Sequence, residues 1–308
     1  MSDRKFHTVL ITGATDGLGR ATALYLAERG YRVFATGRNP QKLAALREEA
    51  QQRKLPLDAL EMDVCDDASV DRAVGIIESQ AAIDVLINNA GFAICVTMEE
   101  IRLEDLKKQF ETNFFGVVRV TQRVLPHMRQ RRHGRIINMS SIAGKFSQPL
   151  FGPYSSSKHA LEGMTDALRL EACVHGVDVV LIEPGHIPTN MSRVSMELAG
   201  GYREAATTGP YANIYQTFTR QWKDERTRKA SKYKPVDCAV VVERAIEAEK
   251  PAARYTVTRR AAFLSIARRL APDALFDWRT MRAFGLERYD AKNRGAVPAE
   301  RAAGSSVR

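Results

Sequence analysis

Cysteine is scarce in this chain: Cys65, Cys95, Cys173 and Cys238 are the only four in 308 residues, and none forms a Cys-x-x-Cys pair. That spacing speaks against a disulfide framework and a thiolate zinc site, and for free thiols in a reducing compartment. No metal is called for. No uncharged apolar run approaches the roughly 20 residues that span a bilayer. The first strand-like run starts near residue 7, which leaves no room for a signal peptide, and a cytoplasmic protein is expected. Internal repeats and low-complexity stretches are absent. What is present is a 44% hydrophobic, globular composition, enough for one α/β domain with an appendage.

Strand and helix signals alternate in the manner of a parallel sheet covered by helices. Strands are expected at Thr8–Thr12, Tyr31–Thr36, Ala59–Met62, Asp84–Asn88, Arg135–Met139 and Val177–Ile182. Helices are expected from Pro40 to about Arg53, over about Ala68–Ser79, over about Leu103–Met128, and from Tyr154 to about His175. Pro40 suits a helix start, Asp66 or Asp67 an N-cap, and Gly176 a helix stop.

Two segments carry chemistry. The first strand runs into Gly13-Ala-Thr-Asp-Gly17-Leu-Gly19 and then an apolar-periodic helix. Strand, glycine-rich turn and helix in that order form a dinucleotide-binding arrangement, because the backbone can approach a pyrophosphate and the helix N-terminus offers it free N–H groups. A tight loop would use the same glycines. The second segment holds Ser141 and, thirteen residues on, Tyr154 with Lys158. Residues four apart share a helix face. A fixed ammonium there favours phenolate, so the phenol is expected below its usual pKa of about 10. Such a tyrosine exchanges a proton with an alcohol or ketone oxygen near neutral pH.

Thr12-Gly-xxx-Gly-x-Gly19, Asn88-Asn-Ala-Gly91, Asn113, Ser141, Tyr154-xxx-Lys158 and Pro184-Gly185 together resemble the short-chain dehydrogenase/reductase family in order and spacing, over roughly residues 7 to 190. Ala35-Thr-Gly-Arg38, Ser140-Ser-Ile-Ala-Gly144 and Lys158-His-Ala-Leu-Glu-Gly163 are most similar to its retinol and hydroxysteroid dehydrogenase branch. The resemblance implies a Rossmann-type, doubly wound parallel sheet of about seven strands, completed by the run near residues 253–258. It also implies a catalytic domain over 1–260 with a substrate lid at about 186–234, and an extension over 261–308.

The resemblance further implies roles. Tyr154 donates a proton while hydride passes from the nicotinamide to a carbonyl carbon. Ser141 steadies the oxygen, Lys158 holds the ribose and keeps the tyrosine acidic, and Asn113 positions a relay water. Gly13, Thr15, Asp16, Gly17, Leu18 and Gly19 would hold the cofactor, with Arg38, Asp63, Val64, Asn89, Ala90 and Gly91. Pro184, Gly185, Ile187 and Thr189 would complete its site with Tyr154 and Lys158. NADP(H) is favoured over NAD(H): Gly37 stands where NAD enzymes of the family usually carry Asp, and Arg38 offers a phosphate a planar fork of donors. Asp16 runs against that choice, since a basic residue is common there in NADP enzymes. Asp63 reads equally as an adenine clamp or a helix cap, and Glu183 and His186 as structural.

An apolar lid containing Met191, Met196, Leu198, Tyr202, Tyr211, Tyr215, Phe218 and Trp222, with Phe92, Ile94, Val96, Phe146 and Phe151 nearby, suits a lipophilic carbonyl/alcohol pair. The alternatives are a 3-oxoacyl-thioester reductase and a non-catalytic NADP sensor. A homodimer is compatible with the family. Charge is lopsided: residues 1–217 carry 25 Lys/Arg against 25 Asp/Glu and residues 218–308 carry 21 against 11, so the whole net charge of +10 arises in the second part. The basic, amphipathic stretch Ala261–Phe276 suits anionic lipid, an acidic partner or a solvated cover. No nucleic-acid recognition motif accompanies the charge. The tail after about Asp290 is expected to fray.

Overall fold

Each buried strand reads apolar on both faces, and the two faces find different partners. In β1 (Thr8–Ile11), Val9 and Ile11 point to one side of the sheet and Leu10 to the other, as the two-residue period requires. The computed structural model describes residues 6–189, 200–223 and 232–286, without the side chains of 203–205 and 221–223. Met191, Met196, Leu198, the Trp222 side chain and the tail after 290 lie outside the described residues.

After β1 come α1 (Gly17–Glu28), β2 (Arg32–Gly37), α2 (Pro40–Gln52), β3 (Leu57–Glu61), α3 (Asp67–Gln80) and β4 (Val85–Asn88). The second half holds α4 (Leu103–Phe110), a π-helical turn (Glu111–Phe115), α5 (Gly116–Arg131), β5 (Gly134–Met139), α6 (Gly152–Cys173) and β6 (Val177–Glu183). The lid supplies α7 (Arg203–Thr208) and α8 (Ala212–Lys223); α9 (Pro235–Glu247), β7 (Arg254–Thr256), α10 (Arg259–Leu270) and α11 (Asp273–Phe284) follow. All strands pair in parallel in the order β3-β2-β1-β4-β5-β6-β7. The chain reverses its direction of winding between β1 and β4. The crevice beyond the carboxyl ends of those two strands is where such sheets bind ligands.

Leu24, Leu26, Leu43, Leu46 and Val242 cover one face of the sheet, and Val70, Val74, Ile77, Val120 and Val124 the other. Polar residues set the helix starts. Asp16, Asn39, Asp66 and Thr258 cap α1, α2, α3 and α10 with side-chain oxygens. One buried cation closes a helix end: the Arg135 guanidinium donates to the carbonyls of Ala245 (2.6 Å), Ile246 (2.5 Å) and Ala248 (2.9 Å) at the end of α9. It also reaches Asp178 at 2.6 Å and lies over the Phe6 ring.

The single helix expected over Leu103–Met128 is interrupted. Its middle turn widens to π geometry around Asn113, a departure that clusters at functional sites. Gly116 follows, packed so closely that a Cβ there would lie 2.8 Å from Val64 Cγ2.

Candidate active site

Tyr154 and Lys158 stand one turn apart on α6 and are almost fully buried, 8% and 5% exposed. Pro153 opens this helix, at a position where its missing N–H costs nothing. Ser141 caps the short turn Ile142–Gly144, accepting from the Ala143 N–H at 3.1 Å, and is hydrogen-bonded to the Tyr154 hydroxyl. Lys158 Nζ donates to the Met139 carbonyl at 2.7 Å and lies 5.8 Å from the Tyr154 ring centre. The π-turn delivers Asn113 from below. Its amide donates to the Phe92 carbonyl (2.9 Å) and to Ser157 Oγ (3.1 Å), while its oxygen accepts from the Phe92 N–H (3.0 Å). The geometry therefore brings Ser141, Tyr154, Lys158 and Asn113 together, with the Asn113 side chain committed to the Phe92 backbone and the Ser157 hydroxyl.

The expected acidification of the phenol is not what the protein alone produces. Burial pushes Tyr154 up to about 12, with the Ser141 hydrogen bond opposing it, and burial draws Lys158 down to about 8. The reason is solvation: both charged forms lose water, and the ammonium is spent on a carbonyl rather than on the phenol.

The turn after β1 and the end of β4 are laced together beside these groups. Thr12 Oγ1 accepts from the N–H groups of Asn89 (3.0 Å) and Ala90 (2.9 Å), and Asn89 Nδ2 donates back to the carbonyls of Thr12 and Gly13. Gly13 has φ +64°, and a Cβ there would lie 2.7 Å from Ala90 Cα. At Gly19 it would meet Asn89 Nδ2 at 2.3 Å. Leu18 packs on the core, and Thr189 lies against Gly17. Pro184 accepts from the Ile142 N–H at 3.0 Å, Gly185 abuts Thr258, and Ile187 is buried in the core. The turn after β1, the Asn89–Gly91 strand end and the 184–189 loop thus border one crevice, whose glycine-lined backbone fits a dinucleotide pyrophosphate.

At the end of β2, the absence of a side chain on Gly37 makes room for Thr15, whose Cγ2 would be 2.7 Å from a Cβ there. Arg38 is exposed, 3.6 Å from the Asp63 carboxylate. Asp63 accepts from the Cys65 N–H, and Asp66, not Asp63, caps α3. Asp16 caps Gly17 and pairs with Lys42 at 2.6 Å, so its charge is already matched by a cation.

The described part of the segment expected as a lid is fastened by tyrosines. Tyr202 donates to Asp105 (2.7 Å) and Tyr215 to Glu100 (2.7 Å), while Tyr211 bonds Glu99. Ile94 and Val96 are buried beneath it with Leu150. These tyrosines and aliphatics pack the lid, and Phe151 meets Phe218 edge-on at 5.7 Å. Phe146 lies beside Phe276 of α11.

The sheet, crevice and buried tyrosine–lysine pair define a Rossmann-type oxidoreductase. The chain belongs to the short chain dehydrogenase family, whose sequence pattern matches residues 7–198. It is 32% identical over 275 residues to an NADPH-dependent 3-dehydrocapnine reductase of Ornithobacterium rhinotracheale, spanning 87% of this chain and 94% of the relative. It is 42% identical to a 3-ketodihydrosphingosine reductase of Bacteroides thetaiotaomicron over 62% of this chain and 69% of the relative. Among solved structures it resembles an actinorhodin polyketide ketoreductase with NADPH (30% identity, TM-score 0.71, covering 83% of this chain and 97% of that one). It is therefore an enzyme of NAD(P)-linked carbonyl/alcohol chemistry.

Sequence reasoning passed over Lys145, Glu162 and Arg254, which meet behind the Ser141 turn. The spacing of Glu162 from Lys158 was readable as a shared helix face. Arg254 carried no such signal, because only the pairing of β7 with β6 brings it there.

Proposed function

We propose that this enzyme reduces a lipophilic ketone or aldehyde with NADPH, and that Tyr154 is its proton donor. The observation that carries the reading is the buried Tyr154 hydroxyl hydrogen-bonded to Ser141, one helical turn from Lys158. Gly13, Gly17, Gly19, Asn89, Ala90, Gly91, Pro184, Gly185, Ile187 and Thr189 would hold the cofactor, which supplies the hydride when bound. Ser141 steadies the substrate oxygen, and Tyr154, kept protonated by burial, delivers a proton to it. Lys158 gives that corner its positive charge, and Asn113 fixes the strand end beside it.

Arg38 supports the preference for NADPH, because a 2′-phosphate arriving there meets an exposed guanidinium and no acid at position 37. The two reductase relatives point the same way about reaction type, and aromatic side chains at 92, 151 and 218 about an apolar substrate. Consumption of NADPH, followed by its absorbance with a panel of steroids, retinoids, aliphatic ketones and oxoacyl thioesters, tests the reading. No turnover with any of them would sink it in favour of a binding protein.

The same proposal extends to where substrate is met. Phe263, Ile266 and Leu270 fall on one face of α10 and are 62–78% exposed, with Arg259, Arg260 and Arg269 beside them. Among the described residues no helix is long and apolar enough to cross a membrane. This basic, apolar face suits the surface of an anionic bilayer. Co-sedimentation with phosphatidylserine vesicles should fall when the three apolar residues become serine; unchanged binding would refute the contact.

A further inference from the structure

Behind the Ser141 turn lies a buried group of charges that the proposed reaction does not use directly. Glu162 follows Lys158 by four residues on α6, so the two share a face. Its Oε2 lies 2.5 Å from Lys145 Nζ and 3.2 Å from Arg254 Nε. Glu183, the last residue of β6, sets Oε1 at 3.1 Å from the same Nζ and 3.3 Å from the same Nε. Arg254 also reaches Asp166 at 2.6 Å, and Arg169 touches Asp166 from the surface at 3.6 Å. Glu162 and Glu183 are 6% and 1% exposed.

Three parts of the site meet here. Lys145 directly follows the turn that Ser141 caps, Glu183 precedes Pro184-Gly185, and Glu162 shares a helix with Tyr154 and Lys158. Buried ion pairs seldom stabilise a fold beyond what apolar packing would give, so stability alone is a poor reason for this group. Lys158 supplies a better one. It is buried, its ammonium donates to the Met139 carbonyl, and among the described residues no carboxylate is in ion-pair contact with it. A buried ammonium in that position needs a compensating charge nearby. Glu162 is the charge that acts on it, opposing the burial that strips its proton. One oxygen of Glu162, Oε1, has no hydrogen-bond partner, and neither has the neighbouring Ser140 hydroxyl. Gly144 packs tightly against both: a Cβ there would lie 2.9 Å from Ser140 Oγ and 3.3 Å from Glu162 Oε1.

We propose that Glu162 is a positioning residue: clamped by Lys145 and Arg254, it keeps the Lys158 ammonium charged and ties the Ser141 turn to the catalytic helix. Its value to catalysis rests on the function proposed above; its effect on Lys158 does not.

The test separates the two. Full-length protein labelled with [ε-13C]lysine is titrated without cofactor, the Lys158 signal being assigned by its loss in Lys158→Met. Glu162→Gln should lower the Lys158 midpoint, because it removes a negative charge on the same helix face one turn away. Glu162→Asp should restore most of it. Lys145→Gln removes a positive charge and should leave the midpoint unchanged or raise it. In turnover, the alkaline limit of ketone reduction should move down with the midpoint in Glu162→Gln. An unmoved midpoint in folded Glu162→Gln, or equal falls in Glu162→Gln and Lys145→Gln, would overturn the proposal, since equal falls mark common loosening. Should Glu162→Gln not fold, a fall in Lys145→Gln would overturn it alone. An inactive wild-type enzyme would count against the proposed function while leaving the titration decisive.

Discussion

Replacing Lys158 with methionine should remove turnover yet make the protein more stable near neutral pH. Burial draws the lysine from 10.5 to about 8. At 1.36 kcal/mol per unit, holding it charged at pH 7 costs the fold roughly 3 kcal/mol. Methionine fills a similar volume and needs no proton. The substitution also unpairs the Met139 carbonyl, now bonded at 2.7 Å, at a cost of about 1–3 kcal/mol. The net gain at pH 7 is therefore about 0–2 kcal/mol. The pH dependence is the sharper signature. Between pH 8 and 10.5 the unfolded chain holds a proton that the folded lysine has released, so wild-type stability rises with pH across that window. The variant lacks that rise, and its advantage should vanish and reverse on approaching pH 10. Urea unfolding at pH 7, 8.5 and 10, followed by circular dichroism, measures it. Tyr154 complicates only the range above 10, where its raised pKa begins to cost stability in both proteins. Parallel pH curves for the two proteins would refute the reasoning, because they would mean that Lys158 is not held against its own charge.

Other outcomes follow from the same geometry. Tyr154→Phe should cut ketone reduction by about 10²–10⁴-fold while NADPH binding, read by fluorescence, stays near wild type; a loss under tenfold would assign the proton to another group. Arg38→Asp should shift the NADPH/NADH preference by roughly ten- to hundredfold, since a charge-assisted contact is worth about 1.5–3 kcal/mol; an unchanged ratio in paired kinetics would make Arg38 a surface residue. Arg135→Met should destabilise the fold by about 3–5 kcal/mol, because three carbonyls at the end of α9 and the Asp178 carboxylate lose one shared partner. Urea midpoints decide it, and a loss below about 1 kcal/mol would mean that water replaces the guanidinium.

Much of the fold was legible because its signals are local. Apolar runs gave the strands, Asp66 and Pro40 gave helix starts, and Gly176, at φ +75°, marks the end of α6. The family motifs pick out Ser141, Tyr154 and Lys158, which the fold brings close to one another. What escaped the sequence depends on three-dimensional crowding. The π-turn at Asn113 has no local sequence signal, and the close fit of Gly116 against Val64 that follows it joins residues 52 apart in the chain (116 − 64). Charge balance was misread at Tyr154, because spacing reports that a lysine is near but not how much water both groups have lost. The apolar inventory of the lid was readable, whereas its tyrosine anchors on Glu99, Glu100 and Asp105 needed the fold.

The raised phenol and the lowered ammonium are two results of one choice, the exclusion of water around a reacting oxygen. In a low-dielectric site each fixed dipole acts more strongly on developing charge, so a Ser141 hydroxyl held by its own turn gains force from the burial that costs Tyr154 its acidity. In the proposed reduction the donor must be protonated, and a phenol raised to about 12 by burial meets that demand throughout the neutral range. The alkoxide formed on the substrate then needs positive charge close by. Lys158 can supply it only if its proton survives burial, and a value near 8 puts that proton barely on the right side of neutrality. The negative charge of Glu162 is consequently felt where the margin is narrowest. On the proposed role of Tyr154, burial that keeps the phenol protonated suits proton donation, whereas accepting a proton from an alcohol would call for a further positive charge beside the phenol.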